Sequence, residues 1–173
     1  MAPRPLAIDL RPIRPDDLPE LRAGLRRLSP DTRFQRFHAA VLDLSPAQWA
    51  YLTQVDGHDH VAFVACTRER VGEVGPGRIV GVARFIRARE EPTRAEVAFV
   101  VYDGAQGRGV GAALRDALVA AACEHGVKTF RAHILAGNFA MRRLLQGGAL
   151  QVLRDEDGTR DVAITAEPRR LAG

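Results

Sequence analysis

Lysine is almost missing from this chain of 173 residues, because Lys128 is the only lysine among 25 Lys and Arg residues. The net charge of +4 at pH 7 is therefore carried by arginine. No block of five or six like charges interleaved with aromatic residues occurs, which argues against nucleic acid as a partner. A solvated surface accounts for most of the charge, and the modest positive field favours a small anionic ligand such as a nucleotide phosphate.

Cysteine and long apolar runs are also scarce. Cys66 and Cys123 stand in apolar stretches, without a CxxC pair or metal-ligand spacing to histidine, and we expect both to be buried thiols. His58 and His60 have no third ligand near them in the pattern, so no metal site is expected. No apolar run approaches the ~18 residues that span a bilayer, and the N-terminus lacks the apolar segment of a signal peptide. We expect a cytoplasmic protein with no membrane partner.

The composition that remains, 46% hydrophobic and 27% charged, is typical of a globular protein. The length predicts a single domain, residues 1–173, with a core from about residue 8 to residue 166. Leucines three or four residues apart predict a helix over residues 18–28, and Ser29-Pro30 and Ser45-Pro46 each predict a capped helix, over 30–39 and 46–55.

The second half of the chain alternates strands and helices. Short β-rich runs over residues 60–67, 78–88 and 93–101, separated by Gly and Pro turns, predict an antiparallel meander. The strongest helix covers residues 110–125 and is closed by Gly126. The other predicted elements are strands at 8–13, 129–133, 150–153 and 161–165 and a helix at 138–146. This order predicts an α+β or mixed α/β layer structure, not a doubly wound parallel sheet.

A glycine-rich loop lies between a predicted strand and the strongest helix. Its residues are Gln106, Gly107, Arg108, Gly109, Val110 and Gly111. Backbone amides and a helix N-terminus at one point suit a pyrophosphate, whereas a tight turn without ligand is the alternative. The partial match to G-x-G-x-x-G/A does not indicate a dinucleotide fold, because no carboxylate follows on the next strand. Gly-Lys-Ser/Thr is absent, which excludes a P-loop.

The run from Ala95 to Val101, followed by Gln106-x-x-Gly109-x-Gly111, resembles motif A of the GNAT acetyltransferases, Q/R-x-x-G-x-G/A. Asn138 resembles the superfamily's following motif. The segments around residues 13–15, 28–37 and 54–62 are similar to the catalytic domains of bacterial Pat-type protein lysine acetyltransferases. The resemblance covers about residues 13 to 149.

The resemblance implies a GNAT-like fold, with a largely antiparallel central sheet, one splayed parallel strand pair and flanking helices. Acetyl-CoA, as cosubstrate, would lie where strands 93–101 and 129–133 separate. Backbone groups of Phe99 and Val101 would hold the pantetheine arm, and an amide near Val100 or Val101 would stabilise the oxyanion. Amides from Gln106 to Gly111 would hold the pyrophosphate, and we expect Gly109 and Gly111 to need the positive φ that glycine allows.

Glu96 is the candidate general base. If it faces the cleft, desolvation would favour its neutral form and make it a stronger base; the alternative is a carboxylate at the solvated mouth of the strand, without a catalytic role. The Pat-like family places its catalytic glutamate in this strand. Asn138 is predicted to cap its helix, to contact the ligand, or both. The helix after Asn138 contains no tyrosine, which leaves the general acid unassigned.

The predicted activity is transfer of an acetyl group from acetyl-CoA to a primary amine by direct attack. The acceptor is a lysine of another protein, such as an acyl-CoA synthetase, or a small amine. The alternative from another class is a non-catalytic acyl-CoA-binding sensor or partner module, which needs the loop but no base. Acyl-chain preference and oligomeric state, a homodimer included, stay open.

Overall fold

The structure, a computed structural model, describes residues 3–165. Within this range the strands form one seven-stranded sheet in the order β1-β2-β3-β4-β5-β7-β6. All neighbouring strands are antiparallel except β4 and β5, which are parallel. The strands are β1 (Ile8–Pro12), β2 (His60–Thr67), β3 (Ile79–Arg87), β4 (Arg94–Val101), β5 (Thr129–His133), β6 (Leu150–Glu156) and β7 (Thr159–Ile164).

Helices cover both faces of the sheet. The helices are α1 (Leu18–Arg27), α2 (Pro30–Phe37), α3 (Pro46–Thr53), α4 (Val110–Glu124) and α5 (Phe139–Leu144). α2 and α3 begin as expected, because the hydroxyls of Ser29 and Ser45 accept the third backbone N–H of each helix and a proline follows each serine. α4 ends before Gly126, whose φ of +74° is the left-handed conformation that stops a helix.

The main core lies between α4 and the sheet. Its fully buried side chains include Phe85, Leu114, Leu118, Phe130 and Val162. Gly81 of β3 faces the same helix, because a Cβ there would lie 3.0 Å from side-chain atoms of Val110 and Leu114. A smaller cluster, with Ile13, Val64 and Cys66, lies on the opposite face, where α1 contacts β3 and α2 contacts β4. The predicted fold class is therefore confirmed.

Two expectations need correction. β6 extends three residues beyond the predicted end, since only its first residue is buried and an exposed edge strand carries little hydrophobic signal. Asp157 and Gly158, with φ of +51° and +74°, join β6 to β7 and form the Asp-Gly hairpin that the sequence already contained.

The second correction concerns the cysteines: Cys66 is buried, but Cys123 is only half-buried. Residue 166, the expected end of the core, lies outside the described residues.

No helix in residues 3–165 is long and apolar enough to cross a membrane.

Candidate active site

The parallel strands β4 and β5 are paired over only part of their length. Pairing joins Arg94 to Thr129, Ala95 to Phe130 and Glu96 to Arg131, and it stops there. β4 continues to Val101 and β5 to His133. The strands therefore separate after Glu96, and a wedge opens between them toward the glycine loop.

The hydrogen bonds to β3 show which backbone groups of β4 face this wedge. Tyr102 N–H donates to Val80 O over 2.8 Å, and Ala88 N–H donates to Arg94 O over 2.9 Å. Hydrogen-bonded and non-hydrogen-bonded pairs alternate in an antiparallel ladder. The N–H and C=O of Phe99 therefore point away from β3, as those of Val97 and Val101 also do.

Val100 differs from its neighbours in this respect. It lies directly opposite Val82 at a hydrogen-bonded position of the ladder, so its backbone groups are used by β3. Its amide is therefore not available to a ligand in the wedge. Of the two amides expected near the oxyanion, only that of Val101 faces the right way.

The glycine loop follows a short 3-10 turn, Asp103–Ala105, and leads into α4. Gly107 and Gly109 have φ of +69° and +86°, a conformation that side chains disfavour. Gly109 is the N-cap of α4 and has no side chain, so the first N–H groups of the helix are left without a capping partner. Gly111 departs from the expectation: its φ is not positive, and a Cβ there would meet Leu144 at 3.5 Å.

The Arg108 side chain turns away from the helix N-terminus. Its Nη2 lies 2.6 Å from Glu69 Oε1, and its Nε donates to the backbone oxygen of Arg4 over 3.1 Å. Arg108 and Arg4 lower the pKa of the Glu69 carboxyl by direct hydrogen bonds. The Arg108 side chain is thus engaged in an ion pair. Its backbone amide is the group that could contact a phosphate.

The Gln106 side chain links the loop to α2. Its Nε2 donates to Val101 O over 3.0 Å and to Thr32 Oγ1 over 3.3 Å. Thr32 and Ser29 in turn donate to Asp103 Oδ1, each over 2.7 Å. This network occupies the Val101 carbonyl and fixes the start of α2 beside the loop.

Glu96 lies at the last paired position of β4, where the wedge opens. Its side chain is 60% exposed, and its Oε1 lies 3.8 Å from His133 Nε2 on β5. The Arg131 side chain opposite it instead forms an ion pair with Asp161 over 2.7 Å. Of the two arrangements considered for Glu96, the free protein has the second: this carboxylate lies at the solvated mouth of the wedge, and its catalytic role stays a prediction.

Asn138 caps α5. Its Oδ1 accepts the backbone N–H of Met141 over 3.1 Å, and α5 begins at the next residue. The capping role is therefore confirmed, whereas contact with the ligand stays a prediction.

The capping hydrogen bond makes a testable contribution to stability. We expect Asn138→Ala to lower the free energy of unfolding by about 1 kcal/mol, since Ala cannot accept the Met141 N–H. Asn138→Ser keeps an acceptor and should stay close to the wild type. Urea denaturation of the three proteins measures the difference; equal losses for Ala and Ser would contradict the capping role.

A second feature of the site is a cavity of about 90 Å³ between the first three helices and strands β3 and β4. We call it the helix-face cavity. Its wall is mostly apolar, from Leu21, Leu25, Leu28, Trp49 and Leu52, and it includes Ala98 and Val100 of β4. Three arginines also line it: Arg27, which is exposed, and Arg36 and Arg84.

Arg84 is 5% exposed, and its Nη1 donates to Leu52 O over 3.0 Å and to His60 Nε2 over 2.9 Å. Burial, together with the charge of Arg36, lowers the pKa of Arg84 to about 9. Burial also lowers the pKa of Arg36 to about 10. Both arginines are thus protonated at pH 7.

The pKa of His60 is lowered to about 4, because the ring is buried and lies against Arg84. In the unfolded chain the histidine has a pKa of about 6.5. Between pH 6.5 and pH 4 it is therefore protonated in the unfolded chain but neutral in the folded one. We therefore expect stability to fall as the pH falls through this window, by up to roughly 3 kcal/mol. His60→Gln should lack this component. Denaturation at several pH values between 7 and 4 measures this for both proteins. If the free energy of unfolding falls equally in the wild type and in His60→Gln, the assigned role of His60 is wrong.

The sheet is mixed, has one splayed parallel pair and has a glycine-rich helix N-terminus at the open end of the wedge. This arrangement is that of the GNAT fold. The family profile described as "Acetyltransferase (GNAT) domain" matches residues 8–147. The chain belongs to this family.

Individual relatives agree with this assignment. The chain is 38% identical over 147 residues to acetyltransferase Pat of Mycolicibacterium smegmatis, which covers 84% of this chain and 42% of Pat. An acetyltransferase of Pseudomonas aeruginosa is 34% identical, over 88% of this chain and 80% of that protein. The crystal structure of the GNAT domain of S. lividans PAT superposes with a TM-score of 0.75 at 30% identity, covering 89% of this chain and 88% of that one. The chain thus spans about two fifths of the length of Pat.

Within the described range, 3–165, no three His, Cys, Asp or Glu side chains are grouped so that they could hold a metal ion.

Proposed function

We propose that the protein transfers an acetyl group from acetyl-CoA to a primary amine, with Glu96 as the general base. The observation that carries the proposal is the place of Glu96: the parallel pairing ends at this residue, so its carboxylate lies where the wedge opens. A cosubstrate whose pyrophosphate lies at the N-terminus of α4 and whose pantetheine follows the free edge of β4 would bring its thioester toward this point.

The reaction is a direct displacement at the thioester carbonyl. Glu96 accepts a proton from the acceptor ammonium, directly or through water, and the free amine attacks the carbonyl carbon. A backbone N–H on the free edge of β4 donates to the developing oxyanion. The C–N bond forms as the C–S bond breaks, CoA leaves as a thiolate, and the nitrogen releases its second proton to solvent. Because thiol pKa values lie near 8.5, the thiolate leaves without a dedicated acid.

Solvent exposure of Glu96 is compatible with this role. A base acts on a proton within hydrogen-bond reach, and geometry has to be satisfied before proton affinity. Bound acetyl-CoA and acceptor would cover the wedge mouth and remove water from around the carboxylate. Desolvation of the Glu96 carboxylate would then result from substrate binding and not from burial in the free protein.

For the acceptor we favour a lysine side chain of another protein, such as an acyl-CoA synthetase. The similarity to Pat extends over 84% of the chain, well beyond the glycine loop. The wedge mouth is open, as the 60% exposure of Glu96 shows, and an extended lysine can reach such a site. A small amine is the other source of the attacking nitrogen.

Labelled acetyl-CoA incubated with cell lysate tests the acceptor class. We expect wild-type protein to label lysate proteins above the level seen with Glu96→Gln, and the label to map to lysines. Efficient acetylation of a small amine without any labelled protein would contradict the protein-lysine proposal.

A further inference from the structure

Of the three arginines that line the helix-face cavity, Arg27 is exposed, whereas Arg36 and Arg84 are wholly or partly buried and have no acidic partner. In the described part of the chain, neither Arg36 nor Arg84 lies within 4.0 Å of a carboxylate oxygen. Glu20 also lines the cavity, but its Oε1 accepts the backbone N–H of Ile79 over 2.7 Å. Two like charges therefore share an apolar enclosure, an arrangement that costs free energy unless an anion compensates it.

Most hydrogen-bond donors of this pair are not used within the protein. Arg84 employs only Nη1, for Leu52 O and His60 Nε2, and its Nε and Nη2 make no hydrogen bond to described residues. His60 is neutral at pH 7, because its pKa is about 4, and therefore accepts without supplying charge. Arg36 contacts the ring of Phe37 at 4.8 Å and makes no hydrogen bond to described residues. A planar guanidinium with free donors fits a carboxylate in a bidentate manner.

The cavity lies on the same face of the sheet as Glu96. Arg84 lies directly opposite Ala98, and Ile86 directly opposite Glu96. Side chains alternate between faces along a strand, so Glu96, Ala98 and Arg84 share one face. Arg84 is the diagonal neighbour of Glu96, and such neighbours are roughly 7–8 Å apart. A molecule whose amine is at Glu96 can thus place a second group between the arginines.

We propose that Arg36 and Arg84 form a carboxylate subsite for the acceptor, so that the amine which is acetylated belongs to a molecule that also carries a carboxylate. This inference rests on the proposed function, because it takes the position of Glu96 as the position of the amine. The carboxylate comes from an amino acid-like small molecule or from an acidic side chain beside a target lysine. A cavity of about 90 Å³ has room for one such group, not for a large ligand.

Matched acceptors test the subsite kinetically. The first comparison is kcat/KM for 6-aminohexanoate against hexylamine. The second is kcat/KM for a peptide whose lysine is flanked by glutamates against the same peptide with glutamines. We expect the carboxylate member of at least one pair to be preferred by ~10- to 100-fold, as charge-assisted hydrogen bonds contribute. Preference within the first pair identifies a small-molecule source, and preference within the second identifies a protein source. No preference in either pair overturns the proposal.

Variants give a second readout that does not depend on turnover. We expect Arg36→Gln and Arg84→Gln to weaken calorimetric binding of the preferred carboxylate acceptor by ~10- to 100-fold. Arg89→Gln, which removes an exposed arginine outside the cavity, serves as the control for general charge. Circular dichroism and acetyl-CoA affinity show whether each variant is folded. Because Arg36 is only half-buried, Arg36→Gln still tests the subsite if Arg84→Gln does not fold. Unchanged binding by folded Arg36→Gln overturns the subsite.

The two proposals fail in different ways. If the protein acetylates no amine but binds the carboxylate acceptor through Arg36, the proposed reaction is wrong and the anion site stands. If hexylamine and 6-aminohexanoate react equally and Arg36→Gln changes neither rate nor binding, the reaction stands and the carboxylate subsite is wrong.

Discussion

Glu96→Gln is expected to lower kcat by ~100- to 10,000-fold, the usual contribution of a general base, while acetyl-CoA affinity stays nearly normal. Gln has the size of Glu and leaves the β4–β5 pairing in place, but its amide cannot take a proton from the acceptor. The glycine loop and the free edge of β4, which would hold the cosubstrate, are not altered. The loss therefore falls on turnover.

Steady-state kinetics with a verified acceptor and calorimetry with acetyl-CoA separate the two effects. Glu90→Gln is the matched control, since it removes an exposed carboxylate in the turn before β4 and away from the wedge. A rise of the Glu96→Gln rate with pH, as more free amine becomes available, would support loss of a base. If the variant keeps more than half of the wild-type rate, Glu96 is not the base.

Gly109→Val is expected to abolish measurable acetyl-CoA binding in a protein that still folds. Gly109 has φ of +86°, and a branched side chain disfavours that conformation and would stand where the pyrophosphate approaches the backbone. Each charged hydrogen bond lost from a phosphate costs ~10- to 100-fold in affinity, and several are lost together.

Gly126→Val is the matched control for this variant. Gly126 has φ of +74° at the other end of α4, and like Gly109 it has open space around the position of a Cβ. Both substitutions should cost about 1–3 kcal/mol of stability through backbone strain. Only Gly109→Val should lose acetyl-CoA binding by calorimetry. Equal affinity of the two variants would mean that the loop is a turn without a role in binding.

Much of the fold was predictable, because local signals agreed with the final packing. Ser29 and Ser45 mark helix starts, Gly126 marks the end of α4, and the turns at Gly75 and Pro92 separate the antiparallel strands. The position of the glycine loop between strand and helix was also readable from sequence. Signals of this kind act over a few residues, so a single sequence contains them.

The features that the sequence did not reveal depend on long-range pairing. Whether Glu96 is buried depends on where β4 and β5 separate, and that point is set by partners 35 residues apart. Arg108 binds Glu69 and Gln106 binds Thr32 across similar or larger separations. The approach of Arg36 to Arg84 requires α2 to pack on β4, the strand beside β3. Composition and periodicity carry no information about such contacts.

The measurement that tests the central claim most directly follows CoA release and N-acetyl product together, with acetyl-CoA and a panel of amines that includes 6-aminohexanoate, lysine peptides and lysate proteins. We predict that one molecule of N-acetyl product forms for each CoA released, at a rate that falls at least ~100-fold in Glu96→Gln. Tight acetyl-CoA binding by calorimetry without N-acetyl product from any amine would contradict the claim and would leave a binding module in its place.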